Sequence, residues 1–75
     1  MSPDKAVQRA LMSLMKEGQA RDVRPEARLD DLGMRSLQRV QLAVTLEELL
    51  GRPVKDATVM KARTVGDLVA ALAQA

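Results

Sequence analysis

Apolar and polar positions along this chain recur with helical spacing in several stretches and lose that spacing after the first. Val7, Ala10, Leu11, Leu14 and Met15 fall on one side, and Lys5, Gln8, Arg9 and Lys16 on the other. That is the pattern of a helix packed along a single face. Ser2-Pro3-Asp4 open it in a favourable order: a capping hydroxyl, proline at the first helical position, then a carboxylate facing the positive end of the dipole. Gly18 is the expected C-cap. Residues 19–35 sustain no period and include Pro25 and Gly33. A connection this long in so small a chain tends to carry function. Val23, Leu29 and Leu32 are placed to drop side chains onto the helices and pin it.

A second helix is predicted from Ser36 to about Leu50, with Gly51 as its stop and Pro53 preventing continuation. At 100° per residue, Gln38, Gln41, Thr45 and Glu48 form a narrow polar stripe. Leu42, Leu46 and Leu49 lie on a side that reads as buried. Leu37, Val40 and Val44 form a second apolar strip beside the polar one. A helix apolar around most of its circumference is central to its domain, carries a binding strip, or both. Asp56 to Ala62 allows about two further turns. Thr64-Val65-Gly66-Asp67 fits a capping box, and Val65, Leu68, Val69 and Leu72 give a last short amphipathic helix. No strand pattern competes. The predicted fold is all-α, a bundle of three main helices plus one short one with a long first loop, in a single domain spanning 1–75.

Composition narrows the chemistry. A chain of 75 residues buries about 60% of its unfolded surface, and this one has no Cys and no His. Zinc sites, a thiol nucleophile and an imidazole base are excluded. A serine nucleophile needs an adjacent base, so a serine that reacts here must be activated by another protein. Aromatic residues are absent, which removes stacking platforms for single-stranded nucleic acid. The core draws on Leu, Val, Ala and Met, flexible side chains that pack softly. The net charge of +2 comes from Arg scattered through the sequence, read as a solvated surface. Net positive charge and short helices also suggest a small DNA-binding domain. Against that, no helix carries a cluster of base-reading or phosphate-binding residues. No apolar stretch reaches the length of a bilayer span and no signal peptide is visible. The expectation is a cytoplasmic protein, monomeric in the absence of a coiled-coil repeat, that engages neither nucleic acid nor membrane.

The most informative segment is Leu29-Asp30-Asp31-Leu32-Gly33-Met34-Arg35-Ser36-Leu37. It sets a glycine-containing loop directly before a serine that opens the central helix. Taken alone, Ser36 reads as an N-cap with its hydroxyl at an exposed helix start, and serine caps helices everywhere. The wider chain adds more. Leu32-Gly33-Met34-Arg35-Ser36-Leu37 resembles the Leu-Gly-x-Asp-Ser-Leu motif of the acyl carrier protein family. Val40-Gln41-Leu42 and Leu46-Glu47-Glu48 resemble that family's central helix, and Arg63-Thr64-Val65-Gly66-Asp67-Leu68 its last-helix opening. The resemblance runs from the first helix to Leu72 and is of the free-standing type. It implies a four-helix carrier bundle and a 4′-phosphopantetheine arm on Ser36, transferred from coenzyme A by a phosphopantetheinyl transferase. The arm's thiol would hold acyl intermediates as thioesters, making the chain a non-catalytic carrier. Implied partners are that transferase, an acyl- or aminoacyl-loading enzyme, and synthase or tailoring enzymes. A phosphodiester on Ser36 would sit where a helix dipole favours an anion, with Arg35 and Arg39 flanking it as phosphate contacts.

The chain departs from the family pattern in charge. Arg35 stands where the motif has Asp, and Gln38 and Gln41 occupy positions that are usually acidic. Charge complementarity steers the choice of partner. The expectation is therefore a specialised pathway, of polyketide or nonribosomal-peptide type, with an aminoacyl or peptidyl carrier and an unmodified scaffold module as alternatives. Partners would read Met34, Leu37, Gln38, Val40, Gln41, Val44, Thr45 and Glu48. Arg35 would pair with the phosphate, repel other enzymes, or be neutral, or would mark a carrier that has lost modification. Met34, Val40, Leu46, Val59 and Met60 are either ordinary core or the lining of a cleft for a bound acyl chain.

Overall fold

A computed structural model describes residues 1–15 and 23–74. Four helices follow one another: α1 (Pro3–Leu14), α2 (Ser36–Leu50), α3 (Asp56–Lys61) and α4 (Val65–Gln74). α1 packs on α2 and α4, and short α3 bridges α2 and α4. Among the described residues there is no strand, and one isolated antiparallel bridge joins Arg28 to Thr64.

The local chemistry of each helix end follows the sequence closely. Ser2 caps α1, its hydroxyl accepting the Lys5 N–H at 3.3 Å, with proline in the first turn. The helix stops at Leu14, where Met15 turns extended (φ −83°, ψ 149°). Gly18, the expected cap, and Lys16 lie outside the described residues. Gly51 ends α2 in the left-handed region (φ 69°, ψ 26°), its N–H returning to the Glu47 carbonyl. A residue with a Cβ is strained there, and glycine is not. The Thr64–Asp67 capping box closes in both directions: the Asp67 N–H donates to the Thr64 hydroxyl at 3.0 Å and the Thr64 N–H to the Asp67 carboxylate at 3.2 Å.

One expected cap is corrected. Arg35, not Ser36, is the N-cap of α2. The Arg35 backbone is extended (φ −90°, ψ −172°) and its carbonyl already accepts the Arg39 N–H at 2.8 Å. Ser36 is therefore the first residue inside the helix.

The core comprises Ala6, Val7, Ala10 and Leu11 of α1, Leu42, Ala43 and Leu46 of α2, Val59 of α3, and Val65, Leu68 and Leu72 of α4. Each fully buried Leu or Val stabilises the fold by roughly 1.5–3 kcal/mol relative to exposure. The first loop contributes too: Leu29, Leu32 and Met34 are buried and Val23 packs half-buried against the core. The segment is held by backbone bonds to the turn between α3 and α4. The Leu29 N–H donates to the Arg63 carbonyl, the Val65 N–H to Ala27, and the Gly66 N–H to Pro25 at 2.8 Å. A Cβ on Gly66 would meet the Pro25 oxygen at 3.0 Å, so a side chain here would have to push the crossing backbone aside by a few tenths of an ångström. The loop then tightens through Gly33 (φ 81°) and delivers the chain to Ser36.

Candidate functional site

Ser36 is exposed and its hydroxyl makes no hydrogen bond to the described residues. Its backbone N–H belongs to the first turn of α2, whose N–H groups lack helical acceptors. The first turn of α2 carries no acidic residue. The hydroxyl is thus presented at a locally positive helix start with nothing competing for it.

Ser36 also lines an open groove of about 650 Å³. Arg28, Arg35, Arg39, Lys61 and Arg63 line it as well, with Asp30 its one carboxylate. The groove exists because the first loop runs against the α3–α4 turn: the Arg28–Thr64 bridge brings residues far apart in sequence side by side. Arg28 and Lys61 were not singled out from the sequence, and Arg63 only as part of the last-helix motif, since the Arg residues read as scattered. No local signal finds them, because the loop is fixed by the Leu29 N–H on the Arg63 carbonyl, in a turn far along the chain.

The two arginines expected at the phosphate have different fates. Arg35 is exposed beside Ser36 in the groove and pairs with no acid among the described residues. Arg39 is 8% exposed and its guanidinium is committed to the fold. Its Nε–H donates to the Met34 carbonyl at 2.9 Å, and Nη1 to the carbonyls of Val59 (3.0 Å), Met60 (3.0 Å) and Ala62 (2.7 Å). Nη2 reaches Asp30 at 3.2 Å. The carbonyls at the end of α3 have no helical donors, and a cation there satisfies them and opposes the dipole. The expectation of a surface phosphate contact at Arg39 is therefore revised. It ties the loop and α3 to α2, and so positions Ser36.

The expected partner surface is largely, but not wholly, brought together. Leu37, Val40 and Val44 are exposed by 67%, 39% and 50%, a continuous apolar strip on the outside of α2. Gln41 and Glu48 are exposed beside it and Gln38 and Thr45 half-buried. The Thr45 hydroxyl donates back to the Gln41 carbonyl at 2.9 Å. Met34 is corrected: its side chain is buried in the core, because Leu29 and Arg39 both bond its backbone and turn it inward. Of the five residues considered for an acyl cleft, Met34, Leu46 and Val59 are core, while Val40 and Met60 face solvent. The structure does not place them on one common surface.

Comparison with known proteins bears on the same segment. The family described as the phosphopantetheine attachment site matches residues 5–72, which include Ser36 and the whole groove. Acyl carrier protein 2 of Ralstonia nicotianae (strain ATCC BAA-1114 / GMI1000) is 38% identical over 66 residues, covering 83% of this chain and 82% of that protein. The chain belongs to the acyl carrier protein family. No solved structure matches it. The group such a family carries is phosphopantetheine, and the residues present fit it: a serine hydroxyl at a helix start that bonds to no described residue, with an exposed guanidinium beside it. No helix among the described residues is long and apolar enough to cross a membrane.

Proposed function

We propose that Ser36 is the residue on which this carrier bears phosphopantetheine, and that the chain serves a specialised pathway of polyketide or nonribosomal-peptide type. The observation that carries the first part is the exposed hydroxyl at the start of α2, which bonds to none of the described residues and lies inside the segment matched by the attachment-site family. The bound arm supplies a thiol, which this Cys-free chain lacks. Arg35 lies where it would contact the arm's phosphate, and the Arg39 cross-tie keeps the loop and Ser36 in register. Without His or Cys there is no imidazole or thiolate to activate the hydroxyl, which supports reading the chain as a non-catalytic, monomeric, cytoplasmic domain acted on by a phosphopantetheinyl transferase. Leu37, Val40 and Val44 form the contact strip for loading, synthase and tailoring enzymes. The specialised role is supported by the loss of acidic charge from the first half of α2, where Arg35, Gln38 and Gln41 stand.

Intact mass after incubation with coenzyme A and a permissive transferase tests the attachment. One phosphopantetheine should be gained by the parent chain and none by Ser36→Ala. No gain with any transferase, or a gain that survives Ser36→Ala, would sink the reading. Loading trials with acyl- and aminoacyl-activating enzymes test the pathway. Turnover as fast with housekeeping fatty-acid enzymes as with specialised ones would reject it.

A further inference from the structure

The groove beside Ser36 holds more positive charge than the arm can use. Arg39 and Asp30 offset one another, which leaves Arg28, Arg35, Lys61 and Arg63. All four are exposed, and none pairs with an acid among the described residues. A phosphodiester carries a single negative charge, so a net excess of about three remains once the arm's phosphate is paired. Like charges held this close cost free energy unless something anionic meets them.

Charge is also graded along α2. Glu48 is exposed near its far end, thirteen residues from Arg35 and so about 20 Å away along the helix axis. A partner that covers Ser36 therefore meets a basic end and an acidic end, with Leu37, Val40 and Val44 between them. One partner must cover Ser36: the enzyme that modifies it. In that step the Ser36 oxygen bonds to the pantetheine-bearing phosphorus of coenzyme A and the pyrophosphate P–O bond breaks. Adenosine 3′,5′-bisphosphate leaves with the electron pair, and the hydroxyl proton passes to a base of the enzyme.

We propose that the groove formed by Arg28, Lys61 and Arg63 with Arg35 is a docking site for an acidic surface of the phosphopantetheinyl transferase, next to that enzyme's coenzyme A pocket. The inference rests on Ser36 being the modified residue. The three outlying cations come from the first loop (Arg28), the end of α3 (Lys61) and the α3–α4 turn (Arg63), so recognition extends beyond α2 to the place where the loop crosses the end of α3. The groove selects transferases by charge. Enzymes with carboxylates around the pocket mouth associate quickly, and enzymes with a basic mouth are repelled.

The test uses the full chain, coenzyme A and two transferases of known structure, one acidic and one basic around the pocket mouth. Modification is followed by intact mass from low salt to about 0.5 M NaCl, where the screening length falls to a few ångströms. With the acidic enzyme, the triple variant Arg28→Glu, Lys61→Glu, Arg63→Glu should raise KM for the carrier about tenfold or more at low salt. KM for coenzyme A should not move, and the gap should close at high salt. The neutral triple variant to Gln should fall between, and circular dichroism identifies any variant that has unfolded. Isothermal titration of the unmodifiable Ser36→Ala chain against the enzyme should show the same ranking without turnover. Salt-independent modification of the parent chain overturns the proposal, as does a preference for the basic enzyme. A rise confined to KM for coenzyme A also overturns it, by assigning the groove to the cofactor's own phosphates. If the parent chain is never modified, the Ser36 assignment fails with it; normal but charge-blind modification removes the groove alone.

Discussion

The two sides of α2 invert the usual placement of side chains. On the inner side a full guanidinium, Arg39, is buried among backbone carbonyls. On the outer side three aliphatic residues, Leu37, Val40 and Val44, stand in solvent. Burial is decided by whether a group's needs are met, more than by its polarity. Arg39 is tolerated inside because the end of α3, too short to satisfy its own carbonyls, supplies acceptors just where its donors point. Leu37 is left outside because, among the described residues, α1 and α3 are the helices packed on α2 and neither covers that side. The inner anomaly holds the fold together, and the outer one is free to meet a partner.

The largest effect should come from breaking the inner side. Arg39→Met keeps much of the volume but strands the carbonyls of Met34, Val59 and Ala62 in the core. The expected cost is about 3–5 kcal/mol by denaturant unfolding, enough to unfold much of so small a domain. Arg39→Lys should recover only part of this, since a point charge cannot serve both the loop and the end of α3. A loss below about 1 kcal/mol for Arg39→Met would mean that the carbonyls find water, and the inner side would be an ordinary snorkelling arginine.

Breaking the outer side should leave stability alone and hurt recognition. Leu37→Glu with Val44→Glu should shift unfolding by no more than about 0.5 kcal/mol. Turnover with loading or synthase partners should fall about tenfold to a hundredfold, as when central apolar anchors of an interface are removed. Unchanged turnover with several partners would show that this strip is not where they dock.

The contrast also marks what could be read from the sequence. Helix ends were legible because Ser2, Gly51 and the Thr64–Asp67 pair act within a few residues of themselves. The outer strip was legible because it follows from helical geometry alone. Arg39 was misplaced although its spacing pointed inward: residues 39, 42, 43 and 46 share one face, and three of the four are core Leu or Ala. Residue type outweighed periodicity because the acceptors that make burial possible lie at positions 59–62, beyond any local window. The groove was illegible for the same reason. Arg28 is brought beside the Arg63–Thr64 turn through an isolated backbone bridge to Thr64, with no strand-like pattern to announce it. Ser36 was placed at the start of α2, where the structure has it, but its hydroxyl was read as a cap and Arg35 is the capping residue. That the hydroxyl bonds to none of the described residues is visible only in three dimensions.

The smallest effect is expected at Asp30, and it separates charge pairing from carbonyl satisfaction as the source of Arg39's stability. The pair looks like a buried salt bridge from the Arg39 end, but the Asp30 side chain is 70% exposed. Water screens such a carboxylate and hydrates it almost as well in the unfolded chain. Asp30→Ala should therefore cost no more than about 0.5–1 kcal/mol, and a double-mutant cycle with Arg39→Met should give a coupling of similar size. The same change strips the groove of its one lining carboxylate, so modification by an acidic transferase at low salt should speed up by a few-fold. Stability and association rate then move in opposite directions on a single substitution. A coupling of several kcal/mol would instead make the ion pair the anchor of the inner side, and slower modification would count against the groove as a site for anions.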